Sequence, residues 1–252
     1  QMKRLLLYVH FNKYDHISRH VIYQLEHMRP LFEKLVFISN SKLSQGEVDK
    51  LRERNLFDDF IQRDNKGYDF AAWHDGMEFV GFEELKQYDS VTVMNDTCFG
   101  PLWDMEPIYK QYELKEEISF WGMTNHQSIK TANLNINEHL QSYFISFKKN
   151  LVESSVFQNF WKAVESYEDV QNVIDNYETQ YTKRFVDAGF KYASVLDTLP
   201  LNDQFFHSNF TIHYPHVLLD AGVPFIKGKT FDLTQHLAPY LLKEIENRTD
   251  YP

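Results

Sequence analysis

The chain has 252 residues, 43% of them hydrophobic and 16% aromatic, which is enough for one α/β domain with a sizeable core. A net charge of −10 argues against nucleic acid as a partner, since that requires a basic face, yet a nucleotide needs only a few local donors. No apolar run approaches the roughly 20 residues of a membrane span, and the single cysteine, Cys98, rules out an intrachain disulfide and fits a reducing cytoplasm.

Leu5 to Phe11 is apolar and of strand length, too short for a signal peptide. Val21, Ile22, Leu25 and Met28 carry helical spacing over Ser18 to Met28, with Pro30 near the end. Leu35 to Ser39 reads as a second strand, closed by Asn40-Ser41. Ser44 with Glu47 three residues on is a capping-box pattern, opening a helix to about Arg54. Phe60 to Gln62 is a short third strand before the Asn65-Lys66-Gly67 turn, Tyr68 to Phe79 is helical, and Ser90 to Met94 is a fourth strand.

That alternation is the rhythm of a mostly parallel sheet with helices on both faces. The second half reads differently. Ser119 to Met123 and Ser142 to Phe147 look like strands, Phe157 to Tyr167 and Val170 to Ala188 like helices, Gly189 like a C-cap, and Phe225 to Thr230 like a last strand. The expectation is one domain over 1–252, with a nucleotide-binding half (1–104) and a mixed acceptor-side half (105–252). Gln1 and the charged end Lys243 to Pro252 look like the trimmed edge and linker of a longer chain.

Polar groups gather where apolar strands stop. In an open α/β sheet, ligands bind at the carboxyl ends of the strands. Asp96 follows Val91-Thr92-Val93-Met94, where its carboxylate could hold Mg²⁺ or Mn²⁺ beside diphosphate oxygens, with Asn95 and Thr97 adding oxygens. The plainer alternative is an Asx turn capping the strand. Gly67 gives a tight turn and would let a ligand approach the backbone. Asp69 is either a helix N-cap or an acceptor for ribose or sugar hydroxyls. Arg63 either faces phosphates or is solvated. Glu178 is either a general base reaching into a cleft or a solvated helix charge. His139 and Gln141 stand just before a strand, and His213 and His216 flank Tyr214-Pro215, without zinc spacing. Cys98 has no supporting nucleophile motif and reads as a buried thiol. The sequons at Asn95, Asn209 and Asn247 read as chance matches. No nucleophile elbow, P-loop or dinucleotide fingerprint is present, so hydrolase, NTPase and dehydrogenase readings lose weight.

Taken together, Leu6-Leu7-Tyr8-Val9-His10-Phe11, Arg63 through Trp73, Asn95-Asp96-Thr97-Cys98-Phe99-Gly100-Pro101, Phe120 through Thr124, His139 through Phe144 and Pro224-Phe225-Ile226-Lys227 resemble the rhamnan synthesis F family of bacterial polysaccharide glycosyltransferases. The stretches at Arg63 and Asn95 are the most specific. The resemblance implies a GT-A-like, Rossmann-type fold and transfer of a sugar, typically rhamnose, from a nucleotide donor such as dTDP-L-rhamnose to a growing cell-wall or capsule glycan. A looser similarity to family 2 glycosyltransferases implies donor binding by Asn65, Gly67, Asp69, Asn95 and Asp96, with Asp96 also at the metal; Asn40 and Arg63, close to these strand ends, are expected to join them at the donor. It implies an inverting mechanism with Glu178 as base, although Glu178-Thr179 replaces that family's acidic pair. Trp121, His139, Gln141 and Tyr143 are expected on the acceptor side, and Trp73, Trp121 and Tyr143 could stack on sugar faces, with core packing the stronger expectation for Trp73. A glycan or lipid-linked glycan acceptor would place the protein in the cytoplasm, at the inner face of the cell membrane by peripheral docking. The other readings are a retaining transferase, or a non-catalytic glycan- or nucleotide-binding module of a larger synthase.

Overall fold

A computed structural model describes residues 1–201, 214–233, 238–249 and 251–252. Asn209 and His213 therefore lie outside the described residues. The core is a sheet in which β1 (Arg4–His10) lies between β2 (Lys34–Ser39) and β4 (Ser90–Asn95), parallel to both, with β3 (Asp59–Gln62) parallel on the outer side of β2. Beyond β4 the pattern changes. Strand β10 (Phe144–Lys148) runs antiparallel to β4 and to β6 (Phe120–His126), and β11 (Tyr192–Leu196) runs parallel on the edge of β6. The order is β11-β6-β10-β4-β1-β2-β3, with the short β9 (His139–Leu140) also on β6. This is the expected mostly parallel sheet with a mixed second half.

Alternation along the central strands builds both layers, since successive side chains face opposite sides of a sheet. Leu5, Leu7, Val9, Val36, Ile38, Val91 and Val93 pack under α3 (Tyr68–Val80), α7 (Ser155–Lys162) and α9 (Tyr181–Asp187). Leu6, Tyr8, Leu35, Phe37 and Met94 pack under α1 (Arg19–Met28), α2 (Gln45–Arg52) and α5 (Glu106–Glu113). Burial on both faces leaves β1 with no exposed residue, as expected of a central parallel strand.

Several expectations need correction. The capping box at α2 is half formed. Ser44 accepts the Glu47 N–H, but the Glu47 carboxylate accepts from Ile17 N–H at 2.7 Å instead of returning to Ser44. The expected helix Val170 to Ala188 is α8 (Val170–Val173), a π turn Ile174–Glu178 and then α9. The expected strand Phe225 to Thr230 is only β12 (Ile226–Lys227), because its one partner is the two-residue β5 (Cys98–Phe99) and a helix Gly228–Leu233 follows. The supposed linker from Lys243 is helical to Arg248, and Leu241 and Ile245 pack with Leu102, Leu219 and Ile226. Helix α5 and strand β11 escape the sequence reading. No helix among the described residues is long and apolar enough to cross a membrane.

The turn into α3 fixes the geometry below. Gly67 (φ 73°) and Tyr68 (φ 54°) are consecutive left-handed residues, a conformation costly for a non-glycine such as Tyr68. A Cβ on Gly67 would lie 2.4 Å from Ala71 Cβ and 2.8 Å from Ser166 Cα. The glycine is therefore required by the chain's own close approach at Ser166, reinforced by a Gly67 N–H bond to Tyr167 O at 2.9 Å. Gly67→Ala is expected to cost about 1–3 kcal/mol and to lower Tm by roughly 3–10 °C; a thermal melt of the variant against the parent protein checks this.

Candidate active site

The parallel register places three strand ends side by side. His10 pairs with Ser39 and Val9 with Asn95, so Phe11, Asn40 and Asp96 emerge at one edge of the sheet. They open onto a cleft of about 730 Å³. Asn12 lines it from the loop after β1 and His20 from α1, Asn65 from the β3–α3 turn, Tyr68 and Asp69 from the start of α3, and Gln141, Ser142 and Tyr143 from the entry to β10. Glu178 enters from the π turn, and Lys227 and Lys229 from β12 and the helix after it.

Asp96 is held at both its carboxylate and its main chain. Its Oδ2 accepts from Phe11 N–H at 3.1 Å, and its carbonyl oxygen lies 3.0 Å from His20 Nε2. Burial pushes its carboxyl pKa up to about 7, with the Asp69 charge adding to the rise and the Phe11 N–H opposing it. Asp69 is raised by burial as well, against a bond from Asn95 Nδ2 at 2.8 Å. Glu178 is raised by burial and by Asp69, with Lys227 and a bond to Ser142 opposing. The Lys227 ammonium donates to Thr97 Oγ1 at 2.8 Å and sits 4.9 Å above the Tyr143 ring. The Thr124 hydroxyl lies 2.9 Å from Tyr143 OH.

Asn40, Asn65, Asp69, Asp96, Gln141, Tyr143 and Glu178 thus come together, from positions far apart in sequence. Three other expected site residues act behind the wall. Arg63 bonds Asp75 through Nε at 2.6 Å, Asn40 Oδ1 at 2.5 Å and Lys66 O at 3.1 Å, so its charge is neutralised and its role is to fix Asn40 and the turn. Gly67 packs against Ser166 and lies away from the cleft. Asn95, 5% exposed, forms the Asx turn with Thr97 N–H at 3.1 Å while its amide holds Asp69, so the turn belongs to Asn95 and leaves Asp96 facing the cleft. Such burial also leaves its sequon unreachable.

Two acceptor-side expectations fail. Trp121 lies near the start of β6, the end of the sheet away from the cleft, and stacks on Tyr112 with ring centroids 4.6 Å apart. His139 is 5% exposed, stacked on His126, with Nδ1 2.7 Å from Asn137 O. Burial lowers its pKa to about 4, so it is a neutral interior ring. Trp73 is a core residue, donating from Nε1 to Met94 O at 3.2 Å. Cys98 is buried, which pushes its thiol up to about 11 and leaves it unreactive near neutrality. Lys227, Lys229, Phe11 and His20 are lining residues that reading the sequence missed. The only signal for Lys227 was its place in the Pro224–Lys227 stretch.

Three desolvated carboxylates suit a cation. Asp96 and Asp69 offer hard oxygens, and the mutual repulsion that raises Asp96 is what a divalent ion would relieve. A separate set on α3, His74, Asp75 and Glu78, has ligand atoms within 4.8 Å of one another, outside the cleft.

The rhamnan synthesis protein F family profile matches residues 35–252, and the chain belongs to that family. It is 32% identical over 173 residues to the uncharacterized protein y4gN of Sinorhizobium fredii, covering 68% of this chain and 43% of that one. It is 27% identical over 210 residues to virulence protein VirA of Vibrio anguillarum, covering 77% of this chain and 65% of that one. The match thus spans 43% and 65% of these relatives' own lengths. Among solved structures it is similar to a mannosyltransferase, PcManGT, from Pyrobaculum calidifontis in complex with GDP-Man and Mn²⁺, at 10% identity and a TM-score of 0.48 over 77% of this chain and 55% of that one. A likeness at that level carries no functional argument.

The Asp96 carboxyl has a folded pKa near 7 against an ordinary value of 3.8, so the folded state holds a proton that the unfolded state has released. Stability from this group is complete below about pH 4 and is lost as pH rises to 7. Asp96 keeps partial exposure, which discounts the effect. Asp96→Asn is expected to raise Tm by about 2–4 °C at pH 8 and to change it little at pH 4. Equal shifts at both pH values would contradict the raised carboxyl.

Proposed function

We propose that the domain is a glycosyltransferase of polysaccharide synthesis, GT-A-like in fold, using a nucleotide-sugar donor, with dTDP-L-rhamnose the favoured candidate. The observation that carries the reading is the gathering of Asp69, Asp96 and Glu178, all desolvated, with Lys227 at the carboxyl ends of β1, β2 and β4. Family membership supports a role in rhamnan-type polysaccharide synthesis.

Asn40, Asn65 and Asp69 bind the nucleoside and sugar hydroxyls, and Asn95 keeps the Asp69 carboxylate aimed by its 2.8 Å bond. Asp96 faces the diphosphate. Asp96 with Asp69 would hold Mg²⁺ or Mn²⁺, which when bound supplies Lewis-acid charge to a leaving group. Glu178 accepts the proton of the acceptor hydroxyl as that oxygen attacks the anomeric carbon. Burial raises its affinity for that proton, which suits a base working near neutrality. A single base of this kind gives inversion. Gln141 and Tyr143 flank the acceptor path.

The test is a thermal-shift panel of dTDP, UDP, GDP and their sugars, with and without Mn²⁺, followed by donor hydrolysis. One nucleotide is expected to raise Tm by mass action, and its sugar conjugate to be hydrolysed slowly in water. Glu178→Gln is expected to keep donor affinity and to lose transfer about 10²–10⁴-fold, with the product anomer read by NMR. Full transfer by Glu178→Gln would remove it as base. Saturable binding without turnover would favour the non-catalytic module.

A further inference from the structure

We infer that Lys227 binds the diphosphate of the donor and stabilises the charge that develops on the leaving phosphate oxygen, an inference that rests on the donor reading above. The lysine reaches the cleft by a route independent of the strand-end motifs. Ile226 and Lys227 pair antiparallel with Phe99 and Cys98, and Gly228 N–H donates to Thr97 O at 2.8 Å. This pairing sets Lys227 directly beside Thr97, the residue after Asp96. The close fit at Gly100, where a Cβ would meet Pro224 O at 2.4 Å, allows the two segments to approach.

The ammonium is anchored without being neutralised. It donates to a hydroxyl, Thr97 Oγ1 at 2.8 Å, and rests 4.9 Å above the Tyr143 ring. Among the described residues it forms no ion pair with a carboxylate, although its field reaches Asp69, Asp96 and Glu178. Arg63, the cation that the sequence offers for the phosphates, is consumed by Asp75 and Asn40. A cleft carrying three carboxylates would repel a diphosphate unless a cation stood at the same edge. Lys227 is placed to be that cation, with Lys229 also lining the cleft. A hydroxyl and an aromatic face fix the ammonium while leaving N–H donors for anionic oxygens.

In the transfer, the bond between the anomeric carbon and the phosphate oxygen breaks and its electron pair stays on that oxygen. The acceptor oxygen forms the new bond to carbon, and the acceptor proton goes to Glu178. Lys227 keeps its proton throughout and acts by charge. It touches the leaving group, so it is a catalytic residue in this scheme.

Isothermal titration calorimetry of the full chain with dTDP, UDP and GDP, and with thymidine, uridine and guanosine, in EDTA and again in Mn²⁺, tests this. Lys227→Met, which preserves the stem over Tyr143, is expected to weaken the best nucleoside diphosphate about 10–100-fold, in EDTA as well as in Mn²⁺, with Tm within a few degrees of the parent. Lys227→Arg is expected to restore most of the affinity. If Lys227→Met binds the diphosphate as the parent does, the inference is wrong while the donor reading stands. If it weakens nucleoside and diphosphate alike, or loses Tm without rescue by Lys227→Arg, the lysine is structural and the inference is again wrong. If the parent protein binds none of the three diphosphates, the donor reading itself fails and takes this inference with it.

Discussion

The parallel register of β1 between β2 and β4 is the constraint on which the site depends. It sets His10 level with Ser39 and Val9 level with Asn95. A one-residue slip in either pairing would turn the buried set to the wrong face, so the core itself enforces the alignment. Leu5 to Val9 are all at most 1% exposed, which leaves no tolerance on either side of the strand. Polar residues that would be costly inside the sheet are displaced to its end, where Asn40 and Asp96 emerge beside Phe11. The ladder continues one step further through the Asn40 N–H bond to His10 O at 2.8 Å, then gives way to side-chain contacts.

At that edge the electrostatics are unfavourable by construction. Desolvation raises Asp69, Asp96 and Glu178 together, and Asp69 adds repulsion to the other two. The fold tolerates this because each carboxylate is met by a fixed donor: Asn95 Nδ2 for Asp69, Phe11 N–H for Asp96, and the Ser142 hydroxyl for Glu178. These donors orient the groups without neutralising them. Perturbed carboxylates converging on one cleft are the usual signature of a functional site, since a purely structural arrangement would pair them. The contrast with Arg4, which bonds both Glu106 and Glu113, shows that the same chain pairs buried charges fully where only stability is at stake.

The first half of the fold was legible because its signals are local. Apolar runs of strand length, helical spacing in α1 and the glycine turn before α3 are each contained in a dozen residues. Asp69 and Asp96 stood out as acids at element boundaries, and Glu178 as an acid on an expected helix. What could not be read was long-range. Lys227 lines the cleft only because the two-residue strands Cys98–Phe99 and Ile226–Lys227 pair, and such a short strand has no periodicity of its own. Trp121 and His139 look like site residues by neighbourhood. The direction of β6 and the stacking of His139 on His126 remove them, and neither is encoded within their own segments. Arg63 looked free because its partners, Asn40 and Asp75, lie on other elements. Most aromatic rings went to packing, as in the cluster of Phe70, Trp161, Tyr177 and Tyr181.

That cluster explains how Glu178 reaches the cleft at all. Val173, Tyr177, Tyr181 and Phe185 are spaced four apart and are all buried. A regular helix turns about 100° per residue, so a spacing of four drifts by about 40° at each step and would carry the last ring off the core. The π turn at Ile174–Glu178 takes more residues per turn and absorbs the drift. Asn137 Nδ2 and the Thr179 hydroxyl hold the turn, bonding Thr179 O at 3.1 Å and Ile174 O at 3.2 Å. Tyr177 thereby stays against Phe70, and the next residue, Glu178, lines the cleft beside Ile174. The irregularity that a sequence reading smooths into one long helix is thus the feature that lets a single segment both fill the core under α3 and present an acid to the cleft.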